Sequence, residues 1–293
     1  MKKILIPTDF SVPAENAAKY GVELAKSLKA DVWLCNAYKV PAEAPMAAQV
    51  VWPLMDAYTL KEEVTTDLDR LVKKLSDPNC SVDESAYCPQ IFYESGVGEV
   101  CDVVAALVKE KKIDLVVMGI AGASGLVQFV LGSNTKEIIE KSDFPILLIP
   151  YEASYKKIQK IGFATNLGND DLEALQALVH FAAPLDAEIV LIHISTKNVN
   201  FTEEFSHKKN EYLNEVVSKI KYSKIRFEYL WYNDVDNGLD WMASQMDFDI
   251  LSIAHKSHHI LAKIFKGSHT QKLSRHTKIP MLVFPPSEHI VWL

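Results

Sequence analysis

Apolar and polar residues alternate along the chain in blocks that predict strands and helices in turn. Short, nearly continuous apolar runs predict buried strands, and longer segments with apolar residues three or four positions apart predict helices. In the first half the predicted strands lie at residues 4–6, 32–37, within 81–93, 115–118 and 146–149, and the predicted helices at 14–28, 54–75, 98–111 and 132–141. The second half repeats this order, with strands near residues 161–164, 189–192, 225–230, 250–253 and 281–284. Because apolar strands alternate with helices, the pattern predicts parallel sheets covered by helices on both faces.

The chain carries this pattern twice. Three pairs of segments match in the same order: KILIPTDF at 3–10 with KIGFATNL at 160–167, IDLVVMG at 113–119 with FDILSIA at 248–254, and FPILLIP at 144–150 with IPMLVFP at 279–285. The offset falls from 157 to 135 residues, so the first half holds about 22 extra residues, which we place within 38–75. We predict two domains, residues 1–150 and 158–286, joined near 151–157. Each should be an open, doubly wound, five-stranded parallel sheet of the Rossmann-like kind, which binds ligands at the carboxyl ends of its strands.

Composition narrows the class of protein. The chain has 293 residues, 48% of them hydrophobic, and a net charge of −7. This is typical of a folded globular protein and argues against a general polyanion binder, so we expect no nucleic-acid partner. No uncharged apolar stretch is long enough to span a membrane, and Pro7 and Asp9 interrupt the apolar N-terminus, which excludes a signal peptide. We therefore predict a cytoplasmic protein without a membrane partner.

The four cysteines, Cys35, Cys80, Cys88 and Cys101, form no paired or regular spacing. A disulfide framework is therefore not expected, and the cysteines are interpreted as reduced thiols.

The segment most informative about chemistry is VMGIAGASGLVQFVLGSNT at residues 117–135. A predicted strand ends at its start, Gly119 and Gly122 follow, and Gly132 and Ser133 open a predicted helix. Glycine lets backbone N–H groups approach an anion, and the first N–H groups of a helix have no partner within the helix. The segment can therefore cradle phosphates, although no Lys follows the glycine as it does in a Walker motif. The alternative is a plain turn followed by a helix cap.

The spacing Gly119-x2-Gly122-x9-Gly132-Ser133 resembles the nucleotide motif Gly-x2-Gly-x9-Gly-Ser/Thr of the universal stress protein family. KILIPTDFS at 3–11 resembles that family's first strand and acidic loop, and FPILLIP at 144–150 its last strand. The resemblance extends over both halves, so the chain looks like a tandem universal stress protein. It implies an adenine nucleotide alpha hydrolase-like fold, with the two domains packed as a pseudo-dimer in place of the homodimer of single-domain relatives. The candidate seam is formed by the last strands, 146–149 and 281–284.

The resemblance also implies a ligand and its contacts. The ligand would be ATP or another adenine nucleotide, with Mg²⁺ or Mn²⁺ on its phosphates. Asp9, beside Pro7 and Thr8, would contact the adenine and ribose side, Ala37 would line the base pocket and Met118 would flank the sugar. The ribose and phosphates would be held by Gly119, Gly122, Gly132 and Ser133, with Asn134 and Thr135 extending the cradle. The residues themselves leave a second interpretation of Asp9 open, as a turn or helix-cap aspartate.

The second half departs from the motif. Asp9 corresponds to Asn166, Gly119 to Ala254 and Gly122 to Ser257, while a Gly-Ser pair remains at 267–268. Two added Cβ atoms and a lost carboxylate predict weak ATP binding or none in this half.

Residues 254–278 contain six Lys or Arg, five His and no acidic residue. Three interpretations stay open: a solvated basic face, a site for an anion or acidic partner, and a metal site at His255, His258 and His259.

Three functions from different classes are compatible with the sequence. The first is a stress-response sensor or regulator whose surface changes when the nucleotide binds, which requires a protein partner of unknown identity. The second is a slow ATPase, for which the sequence offers no convincing general base or arginine finger. The third is a scaffold that binds no nucleotide. Two tandem chains could also pair into a homodimer.

Overall fold

The structure is a computed structural model that describes residues 2–40, 57–77, 80, 87–120, 133–195, 203–233, 238, 241–242, 245–254 and 279–285. In the first half the elements are β1 Lys2–Pro7, α1 Val12–Leu28, β2 Ala30–Tyr38, α2 Ala57–Leu75, β3 Ile91–Val97, α3 Val100–Lys111, β4 Leu115–Ile120, α4 Ser133–Lys141 and β5 Ile146–Pro150. In the second half they are β6 Lys160–Ala164, α5 Asn169–Ala182, β7 Glu188–Ser195, α6 Glu203–Lys219, β8 Ile225–Trp231, β9 Ile250–Ala254 and β10 Met281–Phe284. We call β1–β5 with their helices unit one, and β6–β10 with theirs unit two.

The ten strands form one sheet in the order β3-β2-β1-β4-β5-β10-β9-β6-β7-β8. Within each unit the strands pair in parallel, as the alternation of strands and helices predicts. The units join through β5 and β10, which pair antiparallel with Leu147 opposite Leu282. The Rossmann-like fold, its five strands per unit and the seam between the last strands are thus confirmed.

The core forms two layers, one on each face of the sheet, and both layers cross the seam. One layer contains Ile4 and Leu147 of unit one together with Phe163 and Leu282 of unit two, all fully buried or nearly so. The opposite layer likewise combines residues of both units. The seam is therefore packed as a continuous interior rather than as a contact between two separate surfaces.

The start and end of helix α1 are fixed by residues close to it in the sequence. The Ser11 side chain accepts a hydrogen bond from the Ala14 N–H (3.4 Å), and Pro13 lies in the first turn, where its missing N–H costs nothing. The helix ends at Lys29, which adopts a left-handed conformation (φ 53°). The buried face of α1 packs on the sheet in the first of the two core layers.

The internal repeat is also visible in matching hydrogen bonds at the amino ends of the strands. Asp114 Oδ2 accepts the Lys3 N–H at 2.7 Å in unit one, and Asp249 Oδ2 accepts the Lys160 N–H at 3.0 Å in unit two. The Lys3 ammonium donates to the Lys111 carbonyl (2.8 Å), just as the Lys160 ammonium donates to that of Met246 (2.6 Å). Burial raises the pKa of Asp114.

Two expectations from the sequence are wrong. The sequence predicts the third strand within 81–93, but β3 is Ile91–Val97, because it pairs along β2 from Val32 opposite Ile91 to Tyr38 opposite Val97. Pairing with β2 therefore overrides the low strand propensity of its Ser and Gly.

The sequence predicts four reduced thiols, but Cys80 and Cys88 form a disulfide with their Cα atoms 5.7 Å apart. They lie between α2 and β3 in the sequence, and their spacing of eight residues forms no motif that reveals the contact. Cys35 and Cys101 are free and buried.

No helix in the described parts of the chain is long and apolar enough to cross a membrane.

Candidate functional site

The strand order of unit one places a candidate site at the carboxyl ends of β1 and β4. From β1 the chain continues to β2 on one side, while β4 and β5 lie on the other. Doubly wound sheets bind ligands at such a reversal. The loop that follows β1 and the start of α4 at Ser133 both lie at this edge, because parallel strands end there and the helices run back from it.

The loop after β1 is a tight, hydrogen-bonded turn. The Thr8 hydroxyl accepts the Phe10 N–H, and the Asp9 carboxylate accepts the Ser11 N–H, both at 3.0 Å. Phe10 between them has a φ of 61°. Asp9 thus has the turn role that the sequence left open, and its side chain is also exposed at the carboxyl edge of the sheet. Pro7 and Thr8 are buried behind it.

Asn36 on β2 fixes this loop from the neighbouring strand. Its side-chain amide donates to the Thr8 carbonyl at 2.8 Å, and the residue is buried. Asn36 is not among the site residues predicted from the sequence, although a single amide inside the apolar run VWLCNAY is a signal that could reveal it. The next residue, Ala37, is half-buried at the carboxyl end of β2, which is the edge of the sheet where the sequence predicts the ligand.

Gly119, near the end of β4, has a packing role that the motif did not indicate. A Cβ atom on Gly119 would lie 2.4 Å from the Pro13 carbonyl oxygen and 2.7 Å from its carbon. The start of α1 therefore approaches β4 through the space that a side chain would fill. Met118, just before it, is buried in the core.

The start of α4 presents polar groups at the same edge. Ser133 and Asn134 are exposed in its first turn, whereas Thr135 is buried. Gly122 and Gly132 lie outside the described residues. The carboxyl edge of unit one therefore carries the exposed carboxylate of Asp9 and, at the start of α4, the exposed hydroxyl and amide of Ser133 and Asn134.

The corresponding edge of unit two is built differently. Asp171 on α5 stands where unit one has Ala14, and its carboxylate is buried. It accepts hydrogen bonds from the Thr165 hydroxyl (2.7 Å) and the Asn166 N–H (2.8 Å). A buried negative charge thus lies behind the loop of unit two, at a residue that is not among those predicted from the sequence.

His193 takes the position of Asn36 in unit two. Its Nδ1 lies 3.0 Å from the Thr165 carbonyl, which can only accept, so Nδ1 carries the proton. Burial lowers the pKa of His193, and the Lys208 charge lowers it further, against the hydrogen bond to Thr165 and the Asp171 charge. The imidazole therefore favours its neutral form. The repeat preserves the bond between β7 and the loop but exchanges an amide for a titratable ring.

No group of three His, Cys, Asp or Glu side chains that could hold a metal ion occurs within the described ranges. The trio His255, His258 and His259 and the rest of the basic stretch at 255–278 lie outside them.

These features define a doubly wound α/β protein with a polar edge at the switch point of each unit. The family description "Universal stress protein family" matches the chain twice, at residues 1–150 and 157–285. The chain belongs to the universal stress protein family, as a tandem of two such domains.

The relatives agree with this assignment. Universal stress protein MJ0531 of Methanocaldococcus jannaschii is 31% identical over 148 residues, which is 50% of this chain and 81% of the relative. The structure of a universal stress protein from Archaeoglobus fulgidus covers 97% of this chain and 98% of its own, with a TM-score of 0.66 at 14% identity, and so shares the fold. A universal stress protein solved in complex with cAMP is 20% identical and covers half of this chain and 96% of its own, with a TM-score of 0.33.

Proposed function

We propose that this protein is a stress-response regulator that binds an adenine nucleotide, ATP foremost, at the carboxyl edge of unit one. The observation that carries the proposal is the strand order, which reverses between β1 and β4, the strands whose carboxyl ends lead into the Asp9 loop and toward α4. Family membership adds to it, because the glycine-serine motif of unit one matches the family pattern.

The residues of this edge fit the two ends of a nucleotide. The Asp9 carboxylate is a hydrogen-bond acceptor suited to ribose hydroxyls or to the adenine amino group. Ser133 and Asn134 offer donors beside the free N–H groups of the first turn of α4, which suit phosphate oxygens. Neither Ser133 nor Asn134 uses its side chain in a hydrogen bond to another described residue. Mg²⁺ or Mn²⁺ would neutralise phosphate charge when bound with the nucleotide.

Gly119 supports this edge indirectly. Because it has no side chain, α1 and the loop that precedes it can lie close against the end of β4. A substitution at Gly119 would disturb packing and binding together, so it is a poor test of nucleotide binding.

Unit two is proposed not to hold the nucleotide. Asn166 replaces the Asp9 carboxylate, and Asp171 adds a buried negative charge where unit one has Ala14. The loop of unit two therefore lacks the charged acceptor that Asp9 offers in unit one. The two edges also lie at opposite ends of the joined sheet, since β5 and β10 are antiparallel.

The test is a thermal shift of the full chain with ATP, ADP and cAMP, each with and without Mg²⁺. A ligand at about 100 times its Kd stabilises the folded state by ~2.7 kcal/mol, which is readily measured. Asp9→Asn is the matched variant, because an asparagine can still accept the Ser11 N–H, as the Asp9 carboxylate does in the turn, but lacks the charge. We expect a shift with ATP that is reduced in Asp9→Asn and in Ser133→Ala.

If no adenine nucleotide shifts the melting temperature, the scaffold interpretation replaces this proposal. Metal-dependent phosphate release that Ser133→Ala abolishes would instead identify a slow ATPase.

A further inference from the structure

The four cysteines divide into two pairs with different surroundings. Cys35 and Cys101 are only 1% and 8% exposed, and burial raises the pKa of both thiols, that of Cys35 to about 12. Cys80 and Cys88 are bonded to each other, with Cys88 exposed and Cys80 partly exposed. Because thiol exchange requires access and a thiolate, only the second pair is placed to react with a solution thiol.

The disulfide adjoins the start of the edge strand β3. The residues on either side of Cys88 anchor this strand. The Tyr87 hydroxyl and the Gln90 N–H both donate to Asp31 Oδ1, at 2.8 and 3.1 Å. Asp31 is buried, and these are its side-chain partners among the described residues. The Gln90 carbonyl also accepts the Val32 N–H at 2.9 Å and so begins the pairing of β3 with β2. The segment 87–90 therefore connects the disulfide to the start of a strand.

The position of β3 in the sheet makes its attachment depend on this anchor. Among the residues that the structure describes, β3 lies at one end of the ten-stranded sheet and pairs only with β2. Its Phe92, Tyr93 and Val97 are exposed. Edge strands with exposed apolar residues are open to pairing with other chains unless something restrains them.

We propose that Cys80 and Cys88 form a reversible thiol–disulfide modification site whose state sets how firmly β3 is held at the edge of unit one. The co-reactant is a dithiol reductant. One of its thiolates attacks one cysteine sulfur and forms a mixed disulfide, and the other cysteine leaves as a thiolate that takes up a proton. The second thiol of the reductant then displaces the first cysteine. Two electrons pass to the protein, which gains two thiols, and the reductant becomes a disulfide. A disulfide oxidant reverses the reaction.

The site is independent of the proposed nucleotide edge. Cys88 and the segment 87–90 precede β3 and lie at the amino ends of the strands, whereas Asp9 and Ser133 lie at their carboxyl ends.

The first experiment counts thiols in the native full chain by alkylation with N-ethylmaleimide and intact-mass spectrometry. After treatment with oxidised glutathione, no cysteine should be labelled. After brief exposure to dithiothreitol, two labels should appear, and peptide mapping should place them on Cys80 and Cys88. Denaturation with reductant should give four labels, since the chain has four cysteines. Cys80→Ser should expose Cys88 alone, without any reductant.

The second experiment measures amide hydrogen exchange in both redox states. Reduction should accelerate exchange at 87–97 and leave β1 and β4 unchanged, and Cys80→Ser/Cys88→Ser should match the reduced protein. The proposal is overturned if Cys80 and Cys88 are labelled after oxidation. It is equally overturned if Cys35 and Cys101 of the reduced protein are labelled as fast as Cys80 and Cys88. The same holds if amide hydrogen exchange in β3 is equal in the oxidised and the reduced protein.

Discussion

Gly119 provides the most demanding test of how unit one is packed. Gly119→Ala adds one methyl group, which would lie 2.4 Å from the Pro13 carbonyl oxygen and 3.0 Å from the Ala14 nitrogen. These are backbone atoms at the start of α1, so they cannot rotate away as a side chain can, and the helix must shift from β4. Overpacking of this kind typically costs about 1–3 kcal/mol. We expect Gly119→Ala to lower the free energy of unfolding by about 2 kcal/mol.

Gly21→Ala is the matched control. Its added methyl group would lie 2.5 Å from Ile6 Cδ1, which is the flexible end of a side chain and can move. Gly21 is also inside α1, where alanine gains roughly 1 kcal/mol of helix propensity over glycine. The same substitution should therefore be close to neutral at this second position.

Urea unfolding of the full chain, followed by circular dichroism, compares the two variants. The reasoning is refuted if Gly119→Ala unfolds within about 0.5 kcal/mol of the unsubstituted protein, the usual range for a change without a structural effect. It is also refuted if Gly21→Ala costs as much as Gly119→Ala, because the flexibility of the contacted atom would then not matter.

Three further predictions follow from the packing. Burial and the Lys208 charge lower the pKa of His193 below its value near 6.5 in the unfolded chain. As the pH falls, the unfolded chain therefore protonates His193 before the folded protein does. The stability contributed by neutral His193 is therefore complete above about pH 6.5 and is lost as the pH falls through the folded pKa. His193→Asn, with the amide found at Asn36, should flatten the pH profile of stability below about pH 6.5, and an unchanged slope would count against it. Leu282→Ala at the seam should lower the unfolding free energy by about 2–5 kcal/mol in urea titrations, and a loss below 1 kcal/mol would contradict a continuous core. Cys80→Ser/Cys88→Ser opens a loop with a sequence separation of 8 and should cost about 2.5 kcal/mol by loop entropy, measured in the same titration, where equal stability of the oxidised protein and the variant would speak against the constraint.

The fold could be predicted from the sequence because strands and helices are indicated by the spacing of apolar residues that are close together in the chain. The apolar runs at β1, β4 and β5 recur at β6, β9 and β10, and runs buried on both faces admit few arrangements other than a parallel sheet. The seam between β5 and β10 was predicted from the family resemblance. The start of α1 was predicted from Ser11 and Pro13, whose effects depend only on neighbouring residues.

The remaining features depend on residues that are distant in the chain. β3 extends to Val97 because β2 is alongside it, and no local preference of its Ser and Gly would indicate this. The Cys80–Cys88 bond needs the two Cα atoms to lie 5.7 Å apart, which the spacing of the two cysteines alone does not indicate.

The candidate site shows the same division. Asp9 lies at the predicted edge, but the packing role of Gly119 depends on Pro13, which approaches it from α1. Asp171 and His193 were missed because each is meaningful only by comparison with its counterpart in the superposed repeat, Ala14 or Asn36. A comparison of the two repeats position by position along α5 and β7 would have revealed both.

The most direct test of the central claim is the calorimetric stoichiometry of ATP binding to the full chain. We predict one binding site per chain, weakened by Asp9→Asn and unaffected by His193→Asn in unit two. Two equivalent sites per chain, or one site that survives Asp9→Asn and is lost on changing unit two, would contradict the assignment of the nucleotide to the first half.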